Sequence, residues 1–317
     1  MSTPPITRVA LVGAGLIGSS MALATRAYVA DGTVTLTDHD PDTLAAAERL
    51  GLADRIMADP AAAVAGADLV VLAVPVGAMA AAAKAIAPGL TAGQIVTDAG
   101  SVKASVLADV APHLPPGVAF IPGHPVAGTE QSGPAAGFPA LFRDRWCILT
   151  PPQTMTADDP ALARLTAYWQ ALGARVEVMD AHHHDLVLAI TSHVPHLIAY
   201  NIVGTASDLA DVTEREVISY SAGGFRDFTR IAASDPVMWR DVFLKNKDAV
   251  LEMLGRFNED LMALQRAIRW DDGDALLELF TRTRAIRRGI VEAGQDAGEA
   301  DFGRHRGDDV RDDDPAL

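Results

Sequence analysis

The sequence predicts an α/β Rossmann-type dinucleotide-binding domain followed by an all-α domain. Three observations carry this. Short unbroken aliphatic runs alternate with alanine-rich stretches up to about residue 178, a G-x-G-x-x-G turn closes the first run, and strand signals stop after Asp180. A chain of 317 residues also fits two domains at roughly 150 residues each.

The aliphatic runs lie at 9–13, 34–37, 69–74, 95–98, 118–121, 147–150 and 176–179. Strands without polar alternation are buried on both faces, so the runs read as a parallel sheet covered by helices, β and α alternating. Beyond Asp180 the stretches 181–209, 236–269 and 272–294 space their apolar residues helically, as Val242, Leu244, Val250, Leu251, Leu254, Phe257, Leu261 and Leu264 illustrate. The expected division is therefore 1–180 for the dinucleotide domain, 181–306 for the helical domain and 307–317 for an acidic, disordered tail. From Glu292 onward nine Asp or Glu face three Arg, which repels rather than packs.

The remaining charge narrows the function classes. With 41 acidic and 26 basic residues the net charge is −15, which argues against nucleic acid or an anionic membrane as partner. The apolar stretch 61–90 is interrupted by Asp68, Pro75 and Lys84, so it reads as helix, strand, helix rather than a membrane span. The start carries no signal-peptide pattern, and the single cysteine, Cys147, makes no intramolecular disulfide, so a cytoplasmic setting is expected.

The glycine turn is Gly13-Ala14-Gly15-Leu16-Ile17-Gly18, placed between a strand and a helix as dinucleotide binding requires. Gly13 permits the tight turn and Gly15 the approach of a pyrophosphate. Gly18 allows close helix packing, and the helix start around Leu16 and Ile17 offers amides and partial positive charge. Asp38 ends the second strand, where a carboxylate accepts from ribose hydroxyls and repels a 2′-phosphate. With His39 and Asp40 following rather than Arg, NAD is expected over NADP. Asp40 reads as a helix cap, and Val74-Pro75, after the strand at 69–74, should border the nicotinamide side.

Four further segments carry polar side chains. They are Asp98-Ala99-Gly100-Ser101-Val102-Lys103, Gly123-His124-Pro125-Val126-Ala127-Gly128-Thr129-Glu130, Ser192-His193-Val194-Pro195-His196, and Gly223 to Ala232 continuing to Asp235-Pro236-Val237-Met238-Trp239. Together with the glycine turn they resemble, in order from about Arg8 to Gly294, the prephenate and arogenate (cyclohexadienyl) dehydrogenases of tyrosine biosynthesis. The chain looks like the stand-alone core of such an enzyme, without a regulatory or chorismate mutase segment.

The resemblance implies hydride transfer from ring C4 of prephenate to NAD+, loss of the C4 hydroxyl proton and departure of the ring carboxylate as carbon dioxide. Its product is 4-hydroxyphenylpyruvate, or tyrosine if arogenate is used. His124 suits the general base, since imidazole titrates near neutrality. The resemblance implies that Ser101 bonds the substrate hydroxyl or His124; as a serine it also suits the N-cap of a helix at 102–111, and the two roles are compatible. Arg230 offers a planar fork to a substrate carboxylate, and Asp227, beside Arg226, reads as its supporting partner. Ser192, His193 and His196 are implied to line the substrate cleft, with Thr129 at the substrate and Trp239 either walling the pocket or sitting in the core.

His193 and His196, with His182, His183, His184 and Asp185 nearby, could suggest a metal, but the reaction needs none and no metal is expected. The triple histidine reads as a solvated helix start. A homodimer through the helical domain is expected. A β-hydroxyacid or imine-type dehydrogenase would instead require a catalytic lysine, for which only Lys245 and Lys247 are placed. A non-catalytic nucleotide sensor would be expected to lose Ser101, His124 and Arg230.

Overall fold

In the computed structural model, the described residues are 4–129, 131–208 and 223–292, apart from the Val291 side chain; Glu130 and the expected acidic tail at 307–317 lie outside them. Strands β1 (Arg8–Val12), β2 (Thr33–Thr37), β3 (Arg55–Ile56), β4 (Leu69–Leu72), β5 (Ile95–Asp98) and β6 (Ala119–Phe120) form a six-stranded sheet of order β3-β2-β1-β4-β5-β6. Every pairing in it is parallel. This order reverses beside β1, so the crevice beyond the carboxyl ends of β1 and β4 is where a dinucleotide binds in such sheets.

The strands alternate their side chains between two cores. Val9, Leu11, Leu69, Val71 and Ile95 pack with Met21 of α1 (Leu16–Tyr28), with Leu165 and Trp169 of α6 (Pro160–Ala171), and with Phe142. Ala10, Val12, Val70, Leu72 and Val96 pack on the other side against α4 (Met79–Ile86) and α5 (Ala104–Val110), and also meet Trp239 and Val242. Burial on both faces explains the runs without polar alternation. Four helices start at an Asp-Pro step: α2 (Pro41–Arg49), α3 (Pro60–Val64), α6 and α10 (Pro236–Lys245). In each the aspartate caps the first turn while proline supplies a helical φ. Asp40 is thus the cap the sequence suggests.

One expectation changes. The runs at 147–150 and 176–179 do not extend the parallel sheet. They form β8 (Trp146–Leu149) and β9 (Arg175–Val178) of a separate three-stranded sheet, where β7 (Gly123–Pro125) runs antiparallel to β8. The six-stranded ladder stops because Pro122 has no N–H to donate and the Gly123 N–H turns to the Asp98 carboxylate at 3.1 Å.

Beyond β9 the helices are α7 (Ala181–Leu188), a π-turn at Ala189–His193 and α8 (Val194–Asp208). They continue with α9 (Gly223–Thr229), a 3₁₀ turn Arg230–Ala233, α10, α11 (Lys247–Arg269) and α12 (Gly273–Glu292). The stretch Ala181–Asp208 is 28 residues long, with a window of mean hydropathy 1.5, enough in length and composition to cross a membrane. It nevertheless carries buried His184, Asp185 and His193.

The chain forms two compact units, one of residues 1–213 with 229–253 and one of 214–228 with 254–317. Helices α7, α8 and α10 therefore belong with the sheet. In the second unit α12 and the end of α11 leave Leu261, Met262, Ile268, Trp270, Leu277, Phe280 and Ile286 exposed.

Candidate active site

The glycine turn has the geometry its sequence implies. Gly13 sits at φ +105°, where a Cβ would lie 2.4 Å from the Ala73 carbonyl oxygen, and a Cβ on Gly18 would lie 2.0 Å from that of Gly13. Nothing lies within 4 Å of a Cβ built on Gly15. That open side, next to the α1 amides that no side chain caps, is a cradle a larger residue would fill. Leu16 and Ile17 form the first turn of α1 and are half-buried, and Val74 packs against Gly13 while Pro75 is exposed. Asp38 Oδ2 accepts the Ala14 N–H at 2.8 Å and Oδ1 the Asp40 N–H at 3.0 Å, with the His39 ring 3.1 Å away. Its carboxylate therefore fixes the turn as well as facing the edge of β2.

At the end of β5 lies a fully buried ion pair that the sequence motifs contain without disclosing. The Lys103 ammonium bonds Asp98 Oδ2 and donates to the Gly123 carbonyl at 2.6 Å. The same carboxylate takes the Gly100 N–H at 2.7 Å and, through Oδ1, the Gly123 N–H. Burial pushes the Asp98 pKa up and the Lys103 pKa down, against their mutual attraction. Gly123 is thereby clamped at both its amide and its carbonyl, which sets the position of the next residue, His124.

His124, 8 % exposed on β7, places Nδ1 2.8 Å from His184 Nε2. His184 Nδ1 lies 2.8 Å from Asp185 Oδ1. The Asp185 carboxylate also accepts the Lys103 N–H at 2.7 Å and the Ala104 N–H at 2.9 Å, so it caps α5 from across the fold. This corrects two expectations. Ser101 is not the cap of that helix, which begins at Ala104 and takes its carboxylate from α7. The triple histidine is not wholly solvated either: Asp180 caps α7 at the amides of exposed His182 and His183, but one more residue of helical rotation turns His184 inward. Burial, and then the nearby charges of His184, Lys103 and His193, hold the His124 pKa well below the usual histidine value.

The π-turn carries the next two histidines. His193 is fully buried, and its Nδ1 accepts from the Asn246 amide at 3.0 Å while Asn246 also donates to the Asp185 carbonyl at 2.9 Å. The proton must then sit on His193 Nε2, which has no hydrogen-bond partner among the described residues; burial lowers this pKa to about 4. His196 donates from Nδ1 to the Ser192 carbonyl at 2.8 Å and stacks on Trp239, with ring centroids 3.7 Å apart. Burial, opposed by that hydrogen bond and reinforced by the Arg230 cation, lowers the His196 pKa. Arg230 opens the 3₁₀ turn that Tyr200 ties to α8 through a 2.6 Å hydrogen bond to the Ser234 carbonyl. Trp239 is 7 % exposed, and so belongs to the core while offering one face to His196.

Thus His124, His193, His196, Arg230 and Trp239 are joined through shared partners within one unit. Ser101 and Ser192 are half-buried, and Thr129, also half-buried, accepts the Gln131 N–H at 3.2 Å. Arg226 and Asp227 are exposed on α9 and belong to the second unit. Sequence reasoning gave no role to Asp98, Lys103, His184, Asp185 or Asn246. The one signal was a lysine and aspartate embedded among strand-end apolar residues. Among the described residues, no three His, Cys, Asp or Glu side chains group as metal ligands. Lys245 pairs with Asp109 at 2.6 Å and Lys247 is exposed, which leaves neither in the position of a site lysine.

A doubly wound sheet with an open glycine cradle and a linked set of buried histidines is the arrangement of a nucleotide-dependent oxidoreductase. The comparisons refine the class. The nucleotide-binding domain of prephenate dehydrogenase matches residues 21–178 and the prephenate dehydrogenase dimerization domain matches 180–282. A cyclohexadienyl dehydrogenase of Zymomonas mobilis is 46% identical over 279 residues, covering 88% of this chain and 94% of that protein. A prephenate dehydrogenase of Bacillus subtilis is 32% identical, covering 88% and 75% respectively. The crystal structure of A. aeolicus prephenate dehydrogenase in complex with hydroxyphenyl propionate and NAD+ superposes with a TM-score of 0.83 at 32% identity, covering 91% of this chain and 100% of that one. The chain belongs to the prephenate dehydrogenase family.

The ion pair generates a prediction. Lys103→Met leaves Asp98 buried without its cation and should cost about 3–5 kcal/mol in urea unfolding. The double variant Lys103→Met/Asp98→Leu should lose less than the single one, because no uncompensated charge remains.

Proposed function

We propose that the chain oxidatively decarboxylates prephenate to 4-hydroxyphenylpyruvate with NAD, and accepts arogenate as well, giving tyrosine. The observation that carries this is His124, buried, held in its neutral form and fixed by the Asp98–Lys103 clamp at the carboxyl edge of the sheet. The 46% identity to a cyclohexadienyl dehydrogenase supports use of both substrates. A hydroxyphenyl carboxylate bound by the A. aeolicus relative has the phenol and carboxylate that this site would hold.

NAD+, when bound on the glycine cradle, supplies the hydride acceptor for ring C4. Gly13, Gly15, Leu16, Ile17 and Gly18 would hold its pyrophosphate, Asp38 its ribose, and Val74 and Pro75 would border the nicotinamide. His124 takes the C4 hydroxyl proton as the carbon is oxidised. The C1–carboxylate bond then breaks, its electron pair enters the ring, carbon dioxide departs, and the phenolate oxygen takes back a proton. Ser101 orients the hydroxyl. Arg230 clamps a substrate carboxylate, while Ser192, His193, His196, Thr129 and Trp239 line the substrate. The division at residue 180 into a dinucleotide domain and a helical domain, and a reducing cytoplasmic setting from the single buried Cys147, belong to the same reading.

Three outcomes test it. For the cofactor, kcat/KM should favour NAD+ over NADP+, and Asp38→Ser should narrow the difference by removing a carboxylate that repels a 2′-phosphate; equal values in the parent would sink the assignment. For the chemistry, His124→Asn should lower kcat by roughly 10²–10⁴-fold with KM little changed, whereas Arg230→Gln should chiefly raise KM, by roughly ten- to a hundredfold. The base must be unprotonated and its pKa is lowered. The parent kcat/KM should therefore stay level as pH falls through about 6.5, drop only below it, and lose that limb in His124→Asn. For assembly, the exposed apolar faces of α11 and α12, in the region matching the dimerization domain, should pair two copies. Light scattering should give twice the mass of 33.3 kDa at micromolar concentration.

A further inference from the structure

We propose that His184 and Asp185 are positioning residues that set the tautomer of His124, fixing its proton on Nδ1 and leaving Nε2 bare to receive the substrate hydroxyl proton. The inference rests on the reading of His124 as the base and extends it to two residues that the proposed chemistry has not used.

Donors and acceptors alternate in only one way along this chain of three side chains. Asp185 is a carboxylate whose two oxygens accept the Lys103 and Ala104 N–H groups at 2.7 and 2.9 Å. It has no proton to give, so across the 2.8 Å contact to Oδ1 the His184 Nδ1 must donate. A neutral imidazole has one N–H, so His184 Nε2 is then an acceptor. The partner 2.8 Å from it, His124 Nδ1, must donate in turn. The same rule, applied to a neutral His124, leaves its Nε2 as the lone-pair nitrogen. Burial holds both rings toward the neutral form this counting assumes.

The arrangement is also rigid where it must be. Asp185 is held by the start of α5, and its own carbonyl accepts from Asn246. His184 is fully buried, and its ring meets that of His124 edge-on at 5.1 Å between centroids. An imidazole that keeps Nδ1–H bonded while Nε2 gains a proton becomes an imidazolium with a neutral acceptor and, one ring further on, a carboxylate. The charged and titratable groups around it are Lys103, Asp98 and Cys147 from the sheet side and α5, and His184, Asp185 and His193 from α7 and the π-turn. Lys103 and the neighbouring His184 and His193 oppose the imidazolium, while Asp185 and Asp98 favour a charge on the adjoining His184 ring. Removing His184 would free His124 to carry its proton on Nε2, where no base function remains.

The test uses the intact protein labelled with ¹⁵N-histidine. The His124 nitrogens are assigned by their disappearance in His124→Asn. The parent should show a protonated Nδ1 and a bare Nε2, and a parent with the proton on Nε2 overturns the proposal without any variant.

Steady-state turnover of prephenate then compares two replacements. His184→Leu offers no acceptor, so its His124 should shift toward the Nε2–H form and its kcat should fall by roughly 10²-fold or more, with KM within about threefold. The acid limb of the pH profile should weaken with it. His184→Gln can accept from His124 Nδ1 through its oxygen and donate to Asp185 through its amide, so it should restore kcat to within about tenfold of the parent.

A folded His184→Leu with parental kcat and an unchanged His124 tautomer overturns the proposal. A parent that oxidises neither prephenate nor arogenate defeats the substrate reading instead, and the nitrogen shifts still decide the tautomer.

Discussion

The ion pair between Asp98 and Lys103 is the constraint on which the rest of the site depends. Two opposite charges with no solvent contact are tolerable only if their remaining bonding capacity is met. Here that capacity is met by the Gly100 and Gly123 amides and the Gly123 carbonyl. Satisfying the pair therefore fixes the end of β5, the start of β7 and the approach to α5 in one arrangement. The six-stranded sheet ends where it does because its next amide is drawn to Asp98, and the antiparallel β7 that results carries His124. A requirement of desolvation thus becomes the placement of a buried imidazole.

The second organising element is the helical stretch from Ala181 to Asp208. An α-helix repeats every 3.6 residues, and a π-turn inserts a residue that shifts all later side chains about the axis. His184 faces the sheet before the π-turn at Ala189–His193, and His193 and His196 follow from its end. The three rings meet different partners: Asp185 and His124 for the first, Asn246 for the second, the Ser192 carbonyl and Trp239 for the third. These partners make His196 donate from Nδ1 and His193 from Nε2. A histidine-rich segment is in this way resolved into rings of defined polarity.

How far this was legible in the sequence follows from what kind of physics each feature uses. The glycine turn, Asp38, the Asp-Pro helix starts and the aliphatic strands are local: they depend on φ, on caps and on burial of a run, and these the residues state directly. The branching of the sheet is not local. The runs at 147–150 and 176–179 look like further parallel strands, and only the lost donor of Pro122 together with the diverted Gly123 amide sends them into a second sheet. His124 stood out because of its flanking glycines and prolines. His184 was hidden among three like residues, of which helix rotation buries one. The capping of α5 by Asp185 joins positions about eighty residues apart, for which no spacing rule exists.

Trp239 belongs at once to the packed face beneath β4 and β5 and to the stack that holds His196. The His196 ring is therefore held against the outer surface of the hydrophobic core rather than by a loop laid over it. Packing defects in such a core relax only partly, and what relaxes is the position of the neighbouring rings. Shortening a side chain of this cluster would shift the indole and carry the His196 ring with it, so the setting of that ring is inherited from aliphatic residues buried beneath it. The orientation of a polar ring can then drift through buried aliphatic exchanges, with its own hydrogen bond to the Ser192 carbonyl unchanged.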